Sequence, residues 1–152
     1  MTLEILQKEM IAAMKAKDKI RKDTISSIIG NIKTAAINDN CRNNISEQFV
    51  DKVLLKEQKT MQEMIDTCPA DRVETLNEYK TKMEVIKEFA PQLITNEEAI
   101  RNKIYEILEV TDVQHSSNSA LMKTVMSQLK GKVDMKIANK IMNEILKRIG
   151  NL

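Results

Sequence analysis

Residues 130–139, Lys-Gly-Lys-Val-Asp-Met-Lys-Ile-Ala-Asn, carry the clearest chemical signal in this sequence. Gly131 is one of only three glycines, and Asp134 stands where a final helix is predicted to begin. A helix start exposes unpaired N–H groups and carries a partial positive charge, so it suits a phosphate. Four lysines surround this start: Lys130, Lys132, Lys136 and Lys140. The alternative is structural: Gly131 ends one helix, Asp134 caps the next, and the lysines form a solvated face.

Charge is unevenly distributed, although the net charge of the 152 residues is only +2. Residues 122–148 contain seven basic and two acidic residues, a local balance of +5, which indicates an acidic partner. The four aromatic residues are not interleaved with the basic ones, so any nucleic acid would be contacted at phosphate rather than by base stacking. Asn139 could join such a contact, but we favour a buried amide that bonds the loop before the final helix.

Candidates for catalysis are few. The single histidine, His115, precedes Ser116 and Ser117 in a polar stretch that is more typical of a linker than of a hydrolase triad. An amidase-type Ser–Ser–Lys set is rejected, because no glycine lies near these serines to supply oxyanion donors. Cys41 and Cys68 are isolated, which predicts free thiols in a reducing compartment and no metal site. No Gly-rich nucleotide-binding motif is found, so we predict no cofactor and no catalytic residue.

Apolar spacing predicts an all-α protein whose core consists of aliphatic residues and methionine. A bundle of four longer helices should precede a small unit of three shorter ones. The predicted ranges are about Leu3–Lys17, Lys19–Ile37, Glu47–Asp66, Arg72–Ala90, Glu97–Val110, Ser119–Leu129 and Met135–Ile149.

The segment from Pro91 to Thr95 is the best candidate boundary, which gives an N-terminal domain at 1–92 and a C-terminal domain at 93–152. Asp18 and Ser46 are predicted N-caps, and Thr95 with Glu98 matches a capping box. The N-terminus resembles no leader peptide, and no apolar run could cross a membrane, so we expect a cytoplasmic protein.

Several short motifs resemble the YqeY-like family, small relatives of the C-terminal tail of the GatB subunit of tRNA-dependent amidotransferase. Residues 14–21 resemble M-K-A-K-D-K-x-R, residues 56–59 resemble K-E-x-K, and residues 88–91 resemble E-Y-L-P. The strongest likeness is that of residues 130–139 to K-G-R-A-D-G-K-L-V-N, preceded by a V-M-x-x-V-M-like stretch at 121–126. The sequence departs from the family pattern at Ser26, Met61, Gln62, Lys123, Ser127 and Met135.

The resemblance implies an all-α fold and a partner that is tRNA, an amidotransferase or an aminoacyl-tRNA synthetase. In the amidotransferase, a carbon–nitrogen ligase that uses glutamine as its amido-nitrogen donor, the tail helps to hold tRNA while other domains catalyse. The resemblance would therefore relate this protein to the amidotransferase activity by kinship and not through catalytic residues of its own. Under this interpretation the nucleic-acid-binding residues are Lys130, Gly131, Lys132, Lys136, Asn139 and Lys140, with Asp134 as a structural cap.

Three hypotheses remain open. The protein could bind tRNA or another structured RNA through phosphate, or it could dock on a tRNA enzyme through apolar helix faces. It could also be a plain helical scaffold for other proteins, without a role in nucleic-acid binding.

Overall fold

The computed structural model describes residues 1–150, which form seven α-helices and no strand, so the predicted all-α class is confirmed. Each helix lies within a few residues of its predicted position. The helices are α1 Leu3–Lys15, α2 Lys19–Asn38, α3 Glu47–Thr67, α4 Val73–Phe89, α5 Glu97–Glu109, α6 Asn118–Leu129 and α7 Met135–Gly150. No helix among the described residues is long and apolar enough to cross a membrane.

Side-chain caps begin most of these helices. The carboxylate of Asp18 accepts a hydrogen bond from the amide of Arg21, and the hydroxyl of Ser46 accepts one from Phe49, so both predicted caps are confirmed. The predicted capping box is wrong. Asn96, rather than Thr95, caps α5, because its side chain accepts a hydrogen bond of 2.9 Å from the amide of Ala99. Asparagine is among the strongest N-cap residues, and threonine is weaker.

The first compact unit, residues 1–91, contains α1 to α4. The helix α2 packs against all three others, and its face of Ile25, Ile28, Ile29 and Ile32 is buried at the centre. Buried apolar residues of the other helices complete the core: Leu6, Val50, Val53, Leu54, Val85, Ile86 and Phe89.

Three apolar residues that stand at helical spacing along α1, α3 and α4 are exposed. Met14, Met64 and Val73 have exposed fractions of 59%, 37% and 58%. None of the residues between Leu54 and Met83 is fully buried. The distal halves of α3 and α4 therefore pack against each other without being covered by the rest of the core, which spacing along one helix cannot reveal.

The second compact unit, residues 92–152, contains α5, α6 and α7. Its core consists of aliphatic residues from all three helices and of Val133 from the loop between α6 and α7: Ile100, Ile104, Leu121, Val125, Leu129, Ala138, Ile141, Met142 and Ile145. An isolated parallel bridge joins Ile94, before α5, to Val133, before α7. This bridge fixes the starts of α5 and α7 side by side.

Candidate nucleic-acid interface

The loop from Lys130 to Asp134 turns the chain sharply between α6 and α7. Gly131 has a φ of +78°, a left-handed conformation that L side chains rarely adopt, and the backbone amide of Lys132 bonds the carbonyl of Leu129 at 3.0 Å. A Cβ placed on Gly131 would meet nothing within 4 Å. The positive φ, and not a lack of space for a side chain, therefore explains why glycine is suited to position 131. The space beside it is open to solvent.

Backbone hydrogen bonds fix this loop to the segment before α5. The amide of Ile94 donates to the carbonyl of Lys132 at 3.0 Å, and the amide of Asp134 donates to the carbonyl of Ile94 at 2.9 Å. Between these two bonds the side chain of Val133 is fully buried. Lys130 and Lys132, on either side of the glycine, are exposed. The loop thus presents two lysines from a fixed backbone.

The carboxylate of Asp134 caps α7, as predicted. One of its oxygens accepts hydrogen bonds from the amides of Lys136 at 2.9 Å and Ile137 at 3.3 Å. Those are the amides that the sequence suggested for a phosphate. A phosphate that bonded them would have to displace the carboxylate, so the lysine side chains are the groups left to attract an anion here.

The first two turns of α7 place Lys136, Asn139 and Lys140 on the exposed side of the helix. Our expectation of a buried Asn139 is wrong. Ala138 occupies the inward position, fully buried, and the next residue is rotated by about 100° toward solvent. Lys140 lies 3.5 Å from the carboxylate of Glu97 on α5, but both side chains are largely exposed, so water and salt weaken this pair.

A second ion pair between α5 and α7 was not predicted. Arg101 donates to Glu144 at 3.1 Å, and this hydrogen bond raises the pKa of the guanidinium. The first ion pair joins Glu97 on α5 to Lys140 on α7, and the second lies four residues further along each helix. The two helices therefore run parallel. One of the two acidic residues in the basic segment 122–148 is therefore held by an arginine on another helix.

The remaining candidates for chemistry do not come together. His115 pairs with Asp112, three residues earlier, at 2.9 Å, and its side chain is 80% exposed. The hydroxyl of Ser117 accepts a hydrogen bond from the amide of Ala120, which makes it the N-cap of α6. Cys41 and Cys68 are free and half-buried. Among the residues described, no cluster of three His, Cys, Asp or Glu side chains could hold a metal ion.

Two of the resembling motifs meet in the first unit. Arg21 donates to both carboxylate oxygens of Glu88, at 2.5 and 3.1 Å, and to Glu9 at 3.2 Å. Its guanidinium also lies over the ring of Phe89, 5.3 Å from the centroid. Sequence reasoning did not pair these residues, because 67 positions separate Arg21 from Glu88 and no local periodicity relates them.

Comparison with protein-family models gives a match to the YqeY-like protein family over residues 3–146. The chain belongs to the YqeY-like family. The match covers nearly the whole sequence, including the Arg21–Glu88 contact and the loop at Lys130–Asp134. Among curated proteins no match is found.

Proposed function

We propose that this YqeY-like protein is a tRNA-binding or tRNA-enzyme accessory module, related by kinship to glutamine-dependent amidotransferases. Phosphate groups of a structured RNA are its ligand, and the second unit makes the contact. The observation that carries the proposal is the exposure of Lys130, Lys132 and Lys136 around one fixed turn.

The chemistry of this turn supports contacts to phosphate rather than to bases. Lysine is a compact point charge that donates to phosphate oxygens without reading a base edge. The carboxylate of Asp134 already accepts hydrogen bonds from the amides of Lys136 and Ile137. The contact with phosphate is therefore made by flexible lysine side chains. Such binding is weak and falls steeply with salt, because it depends on the release of counterions.

A titration of the full chain with total tRNA at several salt concentrations tests the proposal. Three lysine contacts give a slope of log K against log salt on the order of −2 to −3. Replacing Lys130, Lys132 and Lys136 together with alanine should reduce the magnitude of the measured slope by this amount, about 2 to 3. The matched control replaces Lys8, Lys33 and Lys80, three exposed lysines of the first unit, and should leave the slope unchanged. Equal slopes in the two variants would contradict the proposal.

A docking scaffold without a role in nucleic-acid binding is the second candidate function. It is favoured by the apolar side chains that α1 and α2 expose, among them Ile11 at 43%, Met14 at 59% and Ile37 at 55%. Replacing these three with serine should then abolish binding to a protein partner and leave any affinity for tRNA intact. If the lysine variant binds tRNA as the wild type does, docking is the better explanation.

A further inference from the structure

The solvent-facing side of α7 forms one continuous surface of lysine and amide side chains. At about 100° per residue, six of its seven exposed positions from the second residue onward fall within a sector of about 100°, and Arg148 lies about 80° outside that sector. The six are Lys136, Asn139, Lys140, Asn143, Lys147 and Gly150. We call this surface the α7 outer face. Its lysines lie toward one side of the sector and its two asparagines toward the other.

No residue of α7 contributes a carboxylate to the α7 outer face, although Glu97 on α5 approaches it at Lys140, at a distance of 3.5 Å. Glu144 is half-buried and bonded to Arg101, and Asp134 is bonded to backbone amides at the helix start. The face extends about 16 Å from Lys136 to Lys147, at about 1.5 Å per residue. Lys130 and Lys132 lie just before the helix, and Arg148 lies at the edge of its last turn. The positive surface therefore covers the whole helix and not only its start.

We infer that the α7 outer face contacts the backbone of an RNA double helix, with lysines at phosphates and Asn139 and Asn143 at ribose 2′-hydroxyl groups. This inference rests on the proposed function and specifies its ligand. The amide of asparagine both donates and accepts, as the 2′-hydroxyl does. Contacts to phosphate and 2′-hydroxyl groups across the shallow minor groove are the usual way in which proteins recognise double-stranded RNA.

The aromatic content of the second unit argues against a single-stranded ligand. Proteins that bind single strands stack successive bases on several aromatic side chains. Residues 92–152 contain one aromatic residue, Tyr105, which lies on α5. A double helix needs no such platform, because its bases stay stacked on each other.

The packing of α7 fixes the backbone that carries this face. The opposite side of the helix is buried in the core through Ala138, Ile141, Met142 and Ile145. The side chains of the outer face are thus held on a fixed axis, so their order along the helix is set before any ligand binds. Preorganisation of this kind reduces the entropic cost of binding.

Fluorescence anisotropy with three probes tests the inference: an RNA hairpin with a stem of about 16 base pairs, a DNA duplex of the same sequence, and an oligouridine with as many phosphates. The wild-type chain should bind the RNA hairpin most tightly. The variant Asn139→Ala with Asn143→Ala should lose affinity for RNA several-fold and keep its affinity for DNA and its salt slope. The control, Asn102→Ala with Gln114→Ala, changes two exposed amides elsewhere in the same unit and should match the wild type.

A second variant separates charge from hydrogen bonding. Replacing Lys140 and Lys147 with alanine should weaken binding to both duplexes and reduce the magnitude of the salt slope by about 1.5. Tighter binding of oligouridine than of the hairpin, or a preference for RNA over DNA that persists in the asparagine variant, would overturn the inference. So would competition by polyglutamate as strong as that by the hairpin, which would indicate an acidic protein surface instead.

Failure of the inference is distinguishable from failure of the proposed function. If the variants at Lys130, Lys132 and Lys136 lose binding while both α7 outer-face variants bind as the wild type does, only the inference falls. If the wild-type chain binds none of the three probes and no tRNA, the proposed function falls with it.

Discussion

Arg21 and Glu88 form a two-point contact that joins the start of α2 to the end of α4. Both carboxylate oxygens of Glu88 accept hydrogen bonds from the guanidinium, which also lies over Phe89 and bonds Glu9. Arg21 is mostly covered, with 23% of its side chain exposed, whereas Glu88 is 53% exposed. The planar fork of arginine suits this arrangement, and the single ammonium of lysine does not.

Loss of Arg21 should destabilise the first unit. We expect Arg21→Ala to lower the free energy of unfolding by about 1–2 kcal/mol, the combined effect of a two-point ion pair and a cation–π contact. A double-mutant cycle with Glu88→Gln, measured by urea denaturation, should give a coupling energy of about 0.5–1 kcal/mol. A coupling near zero would mean that Arg21 acts through Phe89 and Glu9 alone.

The same pair predicts how stability depends on pH. The hydrogen bond with Arg21 lowers the pKa of Glu88 below its ordinary value of 4.5. Because the pKa is depressed in the folded state, the contribution is fully present above the unfolded-state pKa and is lost as pH falls through the folded-state pKa. The difference in unfolding free energy between the wild type and Glu88→Gln should thus be constant near pH 7 and shrink in acid. Urea denaturation at pH 7, 4.5 and 3 measures it, and a difference that grew in acid would contradict the assignment.

Asp134 should matter for stability more than for binding. Asp134→Ala removes the cap from the amides of Lys136 and Ile137, which should cost about 1 kcal/mol and lower the melting temperature of the second unit. The change also makes the loop more positive, so affinity for tRNA should be kept or increased. Asp134→Asn is the control, because it retains a capping oxygen without the charge. Loss of tRNA affinity in both variants at unchanged stability would instead place Asp134 in the contact.

Gly30 offers a substitution that should stabilise the protein. It lies in the interior of α2, and a Cβ added there would meet nothing within 4 Å. Gly30→Ala should therefore increase the free energy of unfolding by about 1 kcal/mol. Gly131→Ala is the contrasting variant, since its φ of +78° disfavours any L side chain even though space is available. Thermal unfolding of the two variants should shift in opposite directions.

The isolated protein should not hydrolyse glutamine or amidate misacylated tRNA. The hydroxyl of Ser117 caps α6, and the pairing of His115 with Asp112 is local and exposed, so these residues form no triad geometry. An assay for ammonia release from glutamine should give the rate of the buffer alone. Turnover that is abolished by Cys68→Ala or Ser117→Ala would contradict this expectation.

The sequence by itself determined the features that depend on interactions between residues close together along the chain. Apolar spacing and capping residues act within a few positions, so the helices, the caps at Asp18, Ser46 and Asp134, and the all-α class could be predicted. The family motifs at residues 14–21, 88–91 and 130–139 were also readable without a structure, and the family match confirms the resemblance. The lysines of the candidate interface were found in the same way, since they cluster along the chain.

Only the tertiary structure decided which of these groups meet, because contacts between helices depend on how the helices pack. The bridge between Ile94 and Val133 sets α5 and α7 parallel, and this orientation brings Arg101 to Glu144. Apolar spacing predicts which face of a helix is apolar, but it does not predict whether another helix covers that face. Met64 and Val73 belong to apolar positions that no other element covers, and both are exposed. Asn139 differs from its prediction for a related reason: rotation about α7 is set by the buried face of Ala138 and Ile141, which leaves the amide in solvent.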